Sequence, residues 1–279
     1  MKADNTMENN LENNLENNLE NLYLEIEVLM RELGTFQLKI FNEGMEINSK
    51  SNKNDLVTNA DKESEESIIS YIKDKFPTHS ILGEEGGDLS KDSKYRWIID
   101  PIDGTNNYAH GLPIFTISIA LEKDGEIILA CVYNPPLNEF FHAIKGKGAF
   151  LNNEKINVSL QDDLSQALLA TGFPYDKSSN PNNNLDNFAR IVPNIRGVRR
   201  TGSAAYDLCN VARGTFDGFW ELRLNLWDIA AAKLIIEEAS GQINLYQRDN
   251  GINVVAANSK LLVQLLDNLN KDDFMEFSE

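Results

Sequence analysis

From Leu22 to Asn42 the apolar positions Leu22, Ile26, Leu29, Leu33, Phe36 and Ile40 recur in alternating steps of four and three. That spacing predicts one long amphipathic helix, weakly interrupted by Gly34 and widened by Leu24, Val28 and Leu38. Upstream, the tetrad Glu-Asn-Asn-Leu occurs at 8–11, 12–15 and 16–19. Its leucines continue the helical spacing, but Asn is a mediocre helix former, so residues 1–21 read as a frayed low-complexity extension. Asn48–Asn54 reads as a polar loop and Leu56-Val57-Thr58 as a short extended piece. Asn59-Ala60-Asp61 then starts a helix carried by Ile68, Ile69, Tyr71, Ile72 and Phe76 and stopped by Pro77.

Further along, the period changes to that of strands. Ser80–Leu82 is short and apolar, and Ile98-Ile99 ends a buried run. Ile114–Glu122 and Glu126–Tyr133 flank Lys123-Asp124-Gly125, a strong hairpin signal. Glu139–Ile144, Ala149–Leu151 and Leu168–Thr171 read as strands. Pro181–Pro193 contains a helix with Leu185, Phe188 and Ile191 inward, and Ser203–Arg213 is a second. Phe216–Leu222 is a strand and Trp227–Ala239 a large buried helix. Gln242–Tyr246 and Val254–Ala257 close a sheet before a last helix over Lys260–Leu269. Residues 271–279 read as a loose acidic tail. Helices mixed with a mostly antiparallel meander predict an α+β fold. No Pro/Gly/Ser-rich linker divides it, so 22–270 is one unit, with a lobe boundary, if any, near residue 150.

Charge narrows the partners. The 279 residues carry 43 Asp and Glu against 26 Lys and Arg, a formal charge of −17. Phosphate backbones and anionic membrane surfaces need basic patches, which disfavours both as general partners. No apolar run approaches the roughly 20 residues of a membrane-spanning helix. Cys131 and Cys209 lie in apolar segments, as reduced core residues of a cytoplasmic protein do. The acidic, Asn-rich first residues match neither a signal nor a transit peptide.

Three acidic segments stand out. Trp97-Ile98-Ile99-Asp100-Pro101-Ile102-Asp103-Gly104-Thr105 is a strand that breaks into a turn carrying two carboxylates. Leu82-Gly83-Glu84-Glu85-Gly86-Gly87 puts two glutamates between glycines. Leu226-Trp227-Asp228 opens the buried helix. Taken singly, these are an ordinary Asp-Gly turn, a polar turn and a helix-start acid favoured by the helix dipole. Together they supply an all-oxygen donor set. Two carboxylates about 4 Å apart repel by roughly 4 kcal/mol at an effective dielectric near 20. Four converging ones would threaten a domain worth about 5–15 kcal/mol unless cations lay between them. His79, His110 and His142 are dispersed, which argues against zinc and for Mg²⁺, with Mn²⁺ a substitute.

Gly83-Glu84-Glu85, Asp100-Pro101-Ile102-Asp103-Gly104-Thr105 and Trp227-Asp228-Ile229-Ala230-Ala231 with Glu238-Ala239 resemble, in order and spacing, the inositol monophosphatase family. The resemblance runs from about Leu22 to Leu269 and is strongest from Arg199-Arg200-Thr201-Gly202-Ser203-Ala204-Ala205 to Asp228. It implies a layered αβαβα sandwich and a magnesium-dependent, lithium-sensitive phosphomonoesterase that forms a homodimer. It also implies two to three Mg²⁺ ions. Glu84, Asp100 and the Ile102 carbonyl would hold one, and Asp100, Asp103 and Asp228 a second, with a weaker third near Glu84. Asp61 and Thr105 match the hydroxyl–carboxylate pair that orients the attacking water. Gly104 and Thr105 match the phosphate-binding amides. Gly202, Ser203 and Ala204 match the sugar-binding turn, and Glu221 the hydroxyl-binding glutamate.

Some positions depart from the commonest pattern: Ser240 for the first Gly after Glu238-Ala239, Tyr108 for Phe, and Asn106-Asn107 after Thr105. Arg199 and Arg200 suit either dimer contacts or substrate phosphate. The small-molecule phosphate ester expected first is myo-inositol-1-phosphate. Fructose-1,6-bisphosphate or a nucleotide 3′-phosphate at the same site, or a non-catalytic regulatory binding protein, are the alternatives.

Overall fold

The structure, a computed structural model, describes residues 18–46, 50–174, 177–248 and 251–275. The tetrad repeat up to residue 17, and the tail from residue 276, lie outside the described residues.

Among the described residues two long helices come first, α1 (Leu19–Glu46) and α2 (Lys50–Lys75). The expected loop over Asn48–Asn54 and the extended piece at Leu56–Thr58 are therefore corrected: the chain is already helical from Lys50. A three-residue run with β-branched residues is a weak local preference, and helix propagates at one bond per residue once a stable turn lies next to it.

An eight-stranded sheet follows, built from β1 (Ser80–Gly83), β2 (Gly87–Leu89), β3 (Tyr95–Asp103), β4 (Thr116–Lys123), β5 (Glu126–Asn134), β6 (Glu139–Ile144), β7 (Gly148–Leu151) and β8 (Glu154–Lys155). Its order is β2-β1-β3-β4-β5-β6-β7-β8. Only the β1–β3 pair is parallel. Between β3 and β4 lies the short helix α3 (Thr105–His110). The second sheet has β9 (Leu168–Thr171), β10 (Gly197–Arg199), β11 (Gly218–Leu224), β12 (Gln242–Arg248) and β13 (Gly251–Ala257), in the order β10-β9-β11-β13-β12. Helices α4 (Leu185–Ile191), α5 (Ala204–Ala212), α6 (Leu226–Glu238) and α7 (Ser259–Asn268) complete the chain. The strands β2, β8 and β10 carry two or three residues each, too few for a period-2 pattern to show.

Side-chain alternation on the strands sorts the layers. On β3 to β5, Trp97, Ile99, Ile117, Ile119, Leu121, Leu129 and Cys131 pack with Ile26, Met30, Leu33, Ile68 and Ile72 of α1 and α2. Their neighbours Ile98, Ala120, Ala130 and Val132 face the other way, onto α5 and α6. Those helices also meet Phe219, Val254 and Ala256 of the second sheet. Its outer face, through Trp220, Leu222 and Val255, packs on α4 and α7. The result is a stack α/β/α/β/α, the α+β sandwich expected. Helix α6 is apolar over most of its circumference because it lies between two sheets, with only the Lys233–Glu237 pair and Glu238 along its open edge after the first turn.

Three details differ from expectation. Leu185 is 53% exposed, and the inward side of α4 is carried by Asn187 and Ile191, with Asn184 buried just before it. Asn184 is held inside by polar contacts, donating to Gly172 O at 2.7 Å and accepting from Trp220 Nε1 at 2.9 Å. The chain after Lys271 is packed as far as it is described: a 3₁₀ turn over Lys271–Asp273 ends on Phe274, which is 5% exposed. Ser240, after α6, takes a φ of 66°, where glycine is the usual residue.

Gly34 is required by α1's close approach to the sheet. A Cβ there would lie 2.6 Å from Tyr133 Cε1 and 3.1 Å from Pro135. Gly34→Ala should therefore destabilise the protein, although alanine in a helix interior is favoured by about 1 kcal/mol. Overpacking costs about 1–3 kcal/mol, so the expected net loss in urea unfolding is on the order of 1 kcal/mol. A more stable variant would show that the Tyr133 ring moves aside freely.

Candidate active site

Asp100 lies on the inner-facing parity of β3 with Ile98, so it points between the sheets. Asp103, three residues on, would face outward in a regular strand. It does not, because β3 is bulged: Asp100 pairs with Ser118 but Asp103 with Thr116, three residues against two. The extra residue reverses the alternation and turns both carboxylates to one side. Pro101, which cannot donate to the ladder, sits inside this bulge. Asp228 comes from across the interlayer gap, in the first turn of α6. Asp100, Asp103 and Asp228 each bring a carboxylate oxygen within 4.8 Å of the others. Glu84, in the turn after β1, lines the same cleft as these three.

Each acid is tethered. Asp100 Oδ1 accepts the Ile102 N–H at 3.0 Å. Asp103 Oδ2 accepts from Ser203 Oγ and from Ala205 N, both at 2.7 Å. Asp228 Oδ2 accepts the Asn225 N–H at 2.7 Å, half of a capping box. The helix-start role of Asp228 is thus real, and the same residue lines the cleft.

The same cleft, about 370 Å³, is lined by Gly104, Thr105, Gly202, Ser203, Ala204 and Glu221 as well. Asp61, expected to orient the attacking water, does not line it, and neither does Arg199. Asp61 is 3% exposed on α2, and its Oδ1 has no hydrogen-bond partner among the described residues. Thr105 Oγ1 donates to the Ile102 carbonyl at 3.1 Å. Gly104 takes a φ of 99°, and a Cβ there would press on Ile114 O. Buried Asn107 holds the two turns together, donating to Thr201 O at 2.8 Å and Ile114 O at 2.7 Å. Ser203 caps α5, accepting from Tyr206 N.

Sequence reading passed over several cleft residues. Asp207 is 2% exposed and accepts from Thr201 Oγ1 at 2.6 Å. Gly172 follows β9, and any side chain there would occupy the space of the Glu221 carboxylate. A Gly-x-Pro at the end of an apolar strand was the available signal. Arg223 sits in a second bulge, between Glu221 and Leu224 of β11, with a φ of 65°. For a non-glycine residue that conformation costs about 1–2 kcal/mol. Arg200, whose role the sequence left open, lines the cleft and lowers the pKa values of Asp103, Asp207 and Glu221.

Crowding dominates the electrostatics. Burial, then the fields of Glu84 and Asp103, raises Asp100 well above the carboxylate range. Burial and Asp103 do the same to Asp228. Burial and Asp207 raise Glu221. Glu84 is pushed to about 7, chiefly by burial. Asp103 reaches about 6, burial outweighing its bonds from Ser203 and Ala205. Asp61 reaches about 8 through burial and Glu84. Such a group of oxygens, half in water and mutually repelling, fits hard divalent cations.

The chain matches the model of the inositol monophosphatase family over residues 18–271. It is 44% identical over 188 residues to an inositol-1-monophosphatase of Rhizobium meliloti, covering 67% of this chain and 71% of that protein. It is 39% identical over 229 residues to the Nus factor SuhB of Pseudomonas aeruginosa, covering 79% and 84%. The solved structure of an inositol monophosphatase from Anabaena superposes with a TM-score of 0.77 at 36% identity, over 90% of this chain and 98% of that one.

The raised pKa values set a pH dependence. Unfolded carboxylates titrate near 4, whereas Asp103, Glu84 and Asp61 do so at about 6, 7 and 8 in the fold. Between those limits the metal-free folded chain binds more protons than the unfolded one, so these groups lose stability as pH rises from about 4 to about 8. A divalent cation relieves the same repulsion. The rise in Tm from EDTA to excess Mg²⁺ should therefore be small near about pH 5 and grow towards about pH 8.5. A rise that is flat across this range, or absent, would contradict the crowding account.

Proposed function

The chain belongs to the inositol monophosphatase family and is a phosphoric monoester hydrolase; we propose that it hydrolyses a sugar or cyclitol phosphate, myo-inositol-1-phosphate first among them, with Mg²⁺ as cofactor. The observation that carries this reading is the convergence of Asp100, Asp103 and Asp228 in a cleft that also holds Glu84 and Glu221. Residues 22–270 act as one catalytic unit. By the same reading we expect lithium inhibition, a homodimer and a cytoplasmic location.

Glu84, Asp100, Asp103, Asp228 and the Ile102 carbonyl would hold the cations, and Mn²⁺ would substitute for Mg²⁺ in this all-oxygen set. Bound cations supply charge neutralisation and a more acidic water. Asp61 and Thr105 orient the attacking water; the unpartnered Oδ1 of Asp61 supports its part. The amides of Gly104 and Thr105 hold phosphate oxygens, at a helix start that favours anions. The water oxygen bonds to phosphorus while the ester P–O bond breaks, and the departing alkoxide takes up a proton. No covalent phosphoenzyme forms. Gly202, Ser203, Ala204 and Glu221 meet the hydroxyls of the alcohol. Arg200 supplies a positive charge in an otherwise acidic cleft, which supports anionic substrates.

Asp103→Asn tests the metal reading. An asparagine can keep its oxygen on Ser203 and Ala205, leaving an amide NH₂ towards the cleft. Turnover should fall by orders of magnitude while circular dichroism stays native and the metal-free Tm does not fall, because one charge leaves the crowded cluster. Near wild-type rates at saturating Mg²⁺ would rule the role out.

Substrate choice rests on Glu221, because the phosphate contacts are common to every monoester. Glu221→Ala removes a hydrogen-bonding group worth roughly 1.5 kcal/mol, so kcat/KM for inositol-1-phosphate should drop about tenfold. Glycerol-2-phosphate, which lacks the ring hydroxyls, should lose less. Equal losses on the two esters would overturn the assignment.

A further inference from the structure

Glu65 belongs to no motif that the function uses, yet it is only 2% exposed in a region already crowded with Asp61, Glu84 and Glu85. It sits one helical turn after Asp61 on α2, so the two carboxylates share a face. Its Oε2 accepts the Glu85 N–H at 2.9 Å, and its Oε1 accepts the Gly86 N–H. These are the two amides that immediately follow Glu84. The glycines of the turn make room for this contact: a Cβ at Gly86 would collide with Oε1, and one at Gly83 would lie 3.0 Å from the same carboxylate. Gly83 and Gly86, which bracket the Glu84-Glu85 pair, are therefore explained by Glu65 rather than by any ligand.

A carboxylate buried among like charges is costly unless strong hydrogen bonds offset it. A neutral side chain would brace the turn with less repulsion. Here, however, the two successive amides each take a separate oxygen, and a glutamine would offer one oxygen and turn an NH₂ donor towards the other amide. The charge also lets α2 do two things at once. Asp61 approaches the site from one turn of the helix, while the next turn grips the loop that carries Glu84.

We propose that Glu65 is a positioning residue that clamps the turn after β1, so that Glu84 is held against Asp100 in register with Asp61. The proposal rests on the reading that Glu84 takes part in cation binding. Its consequence is that Glu65, without touching a cation, sets the affinity of the ion nearest Glu84 and leaves the ion between Asp103 and Asp228 little affected.

The test uses the full chain, freed of metal, with Mn²⁺ as probe. Binding is followed by calorimetry and by electron paramagnetic resonance, and the Glu85 and Gly86 amides by hydrogen exchange. Glu65→Gln should weaken one class of Mn²⁺ site by about ten- to a hundredfold, the usual effect of losing a group that orients a metal ligand. The other class should be retained, and the two amides should exchange faster. Gly86→Ala should reproduce this through the collision with Oε1. Adding it to Glu65→Ala should cause no further loss, because both act through one contact. Mn²⁺ isotherms of folded Glu65→Gln and Gly86→Ala that superimpose on wild type would overturn the proposal. So would an equal loss at both classes of site, the mark of a merely structural role. A wild-type protein that binds no Mn²⁺ would overturn the metal reading itself and this proposal with it. Unprotected Glu85 and Gly86 amides in wild type would overturn the clamp alone.

Discussion

Mutual repulsion among crowded carboxylates is the constraint around which this molecule is built. Asp100, Asp103, Asp228 and Glu84 come from three separate segments of the chain, and left to themselves they would separate. The three aspartates stay together because each is tied down by hydrogen bonds to a rigid element: Asp103 to the start of α5, Asp228 to the cap of α6, Asp100 to its own bulge. Those elements are rigid in turn because they are packed on both sides. Helix α6 lies between two sheets and is apolar over most of its circumference, with the Lys233–Glu237 pair at its open edge. The energy stored in the crowded acids is held in place by apolar burial elsewhere, which is the usual relation between a reactive site and its scaffold.

Two β-bulges convert the regular alternation of strands into a site. On β3 the bulge brings Asp103 to the same side as Asp100. On β11 the bulge after Glu221 restores Leu224 to the inner core and leaves Arg223 in a left-handed conformation at the cleft. The backbone supports for these irregular points are specific. Asn253, fully buried, accepts the Arg223 N–H at 3.0 Å and donates to Asp273 O at 2.9 Å. Gly251 has φ 132°, and a Cβ there would lie 2.9 Å from the Arg223 backbone. Gln37, also fully buried on α1, donates to Pro101 O at 2.9 Å inside the β3 bulge and to Ser64 Oγ at 3.0 Å. Polar groups so deeply placed define where the backbone departs from regularity, since leaving them unpaired is expensive.

Much of the fold was legible because its long elements bury a face. The first helix, the meander from Ile114 to Leu151 and the helix after Trp227 all carry an apolar period strong enough to read. The misreadings fall where that signal is short or where polar groups are inside. Leu56-Val57-Thr58 looks extended for three residues but belongs to a helix of 26. Helix α4 turns Asn187 inward and Leu185 outward, because buried amides there are satisfied by Asp273 and by the Asn270 backbone. The hydrophobicity pattern finds Phe188 and Ile191 on the inner side but misplaces Leu185 and overlooks Asn187. Phe274 packs against Tyr246, a contact between residues 28 apart that an acidic stretch of sequence conceals.

The acids themselves were recognisable from sequence, since Gly-Glu-Glu, Asp-Pro-Ile-Asp-Gly-Thr and Trp-Asp are local patterns whose order survives in a linear chain. Sequence also determined the two-period segregation of apolar residues that forces layers to form. What it did not determine was how those acids meet. That Asp103 faces Asp100 depends on which residues of β4 oppose them, and that Asp228 faces both depends on the stacking of α6 between two sheets. That Glu65 reaches the Glu84 turn depends on where α2 lies beside β1. Each is a relation between distant segments fixed by close packing, and packing is a property of the assembled layers rather than of any stretch within them.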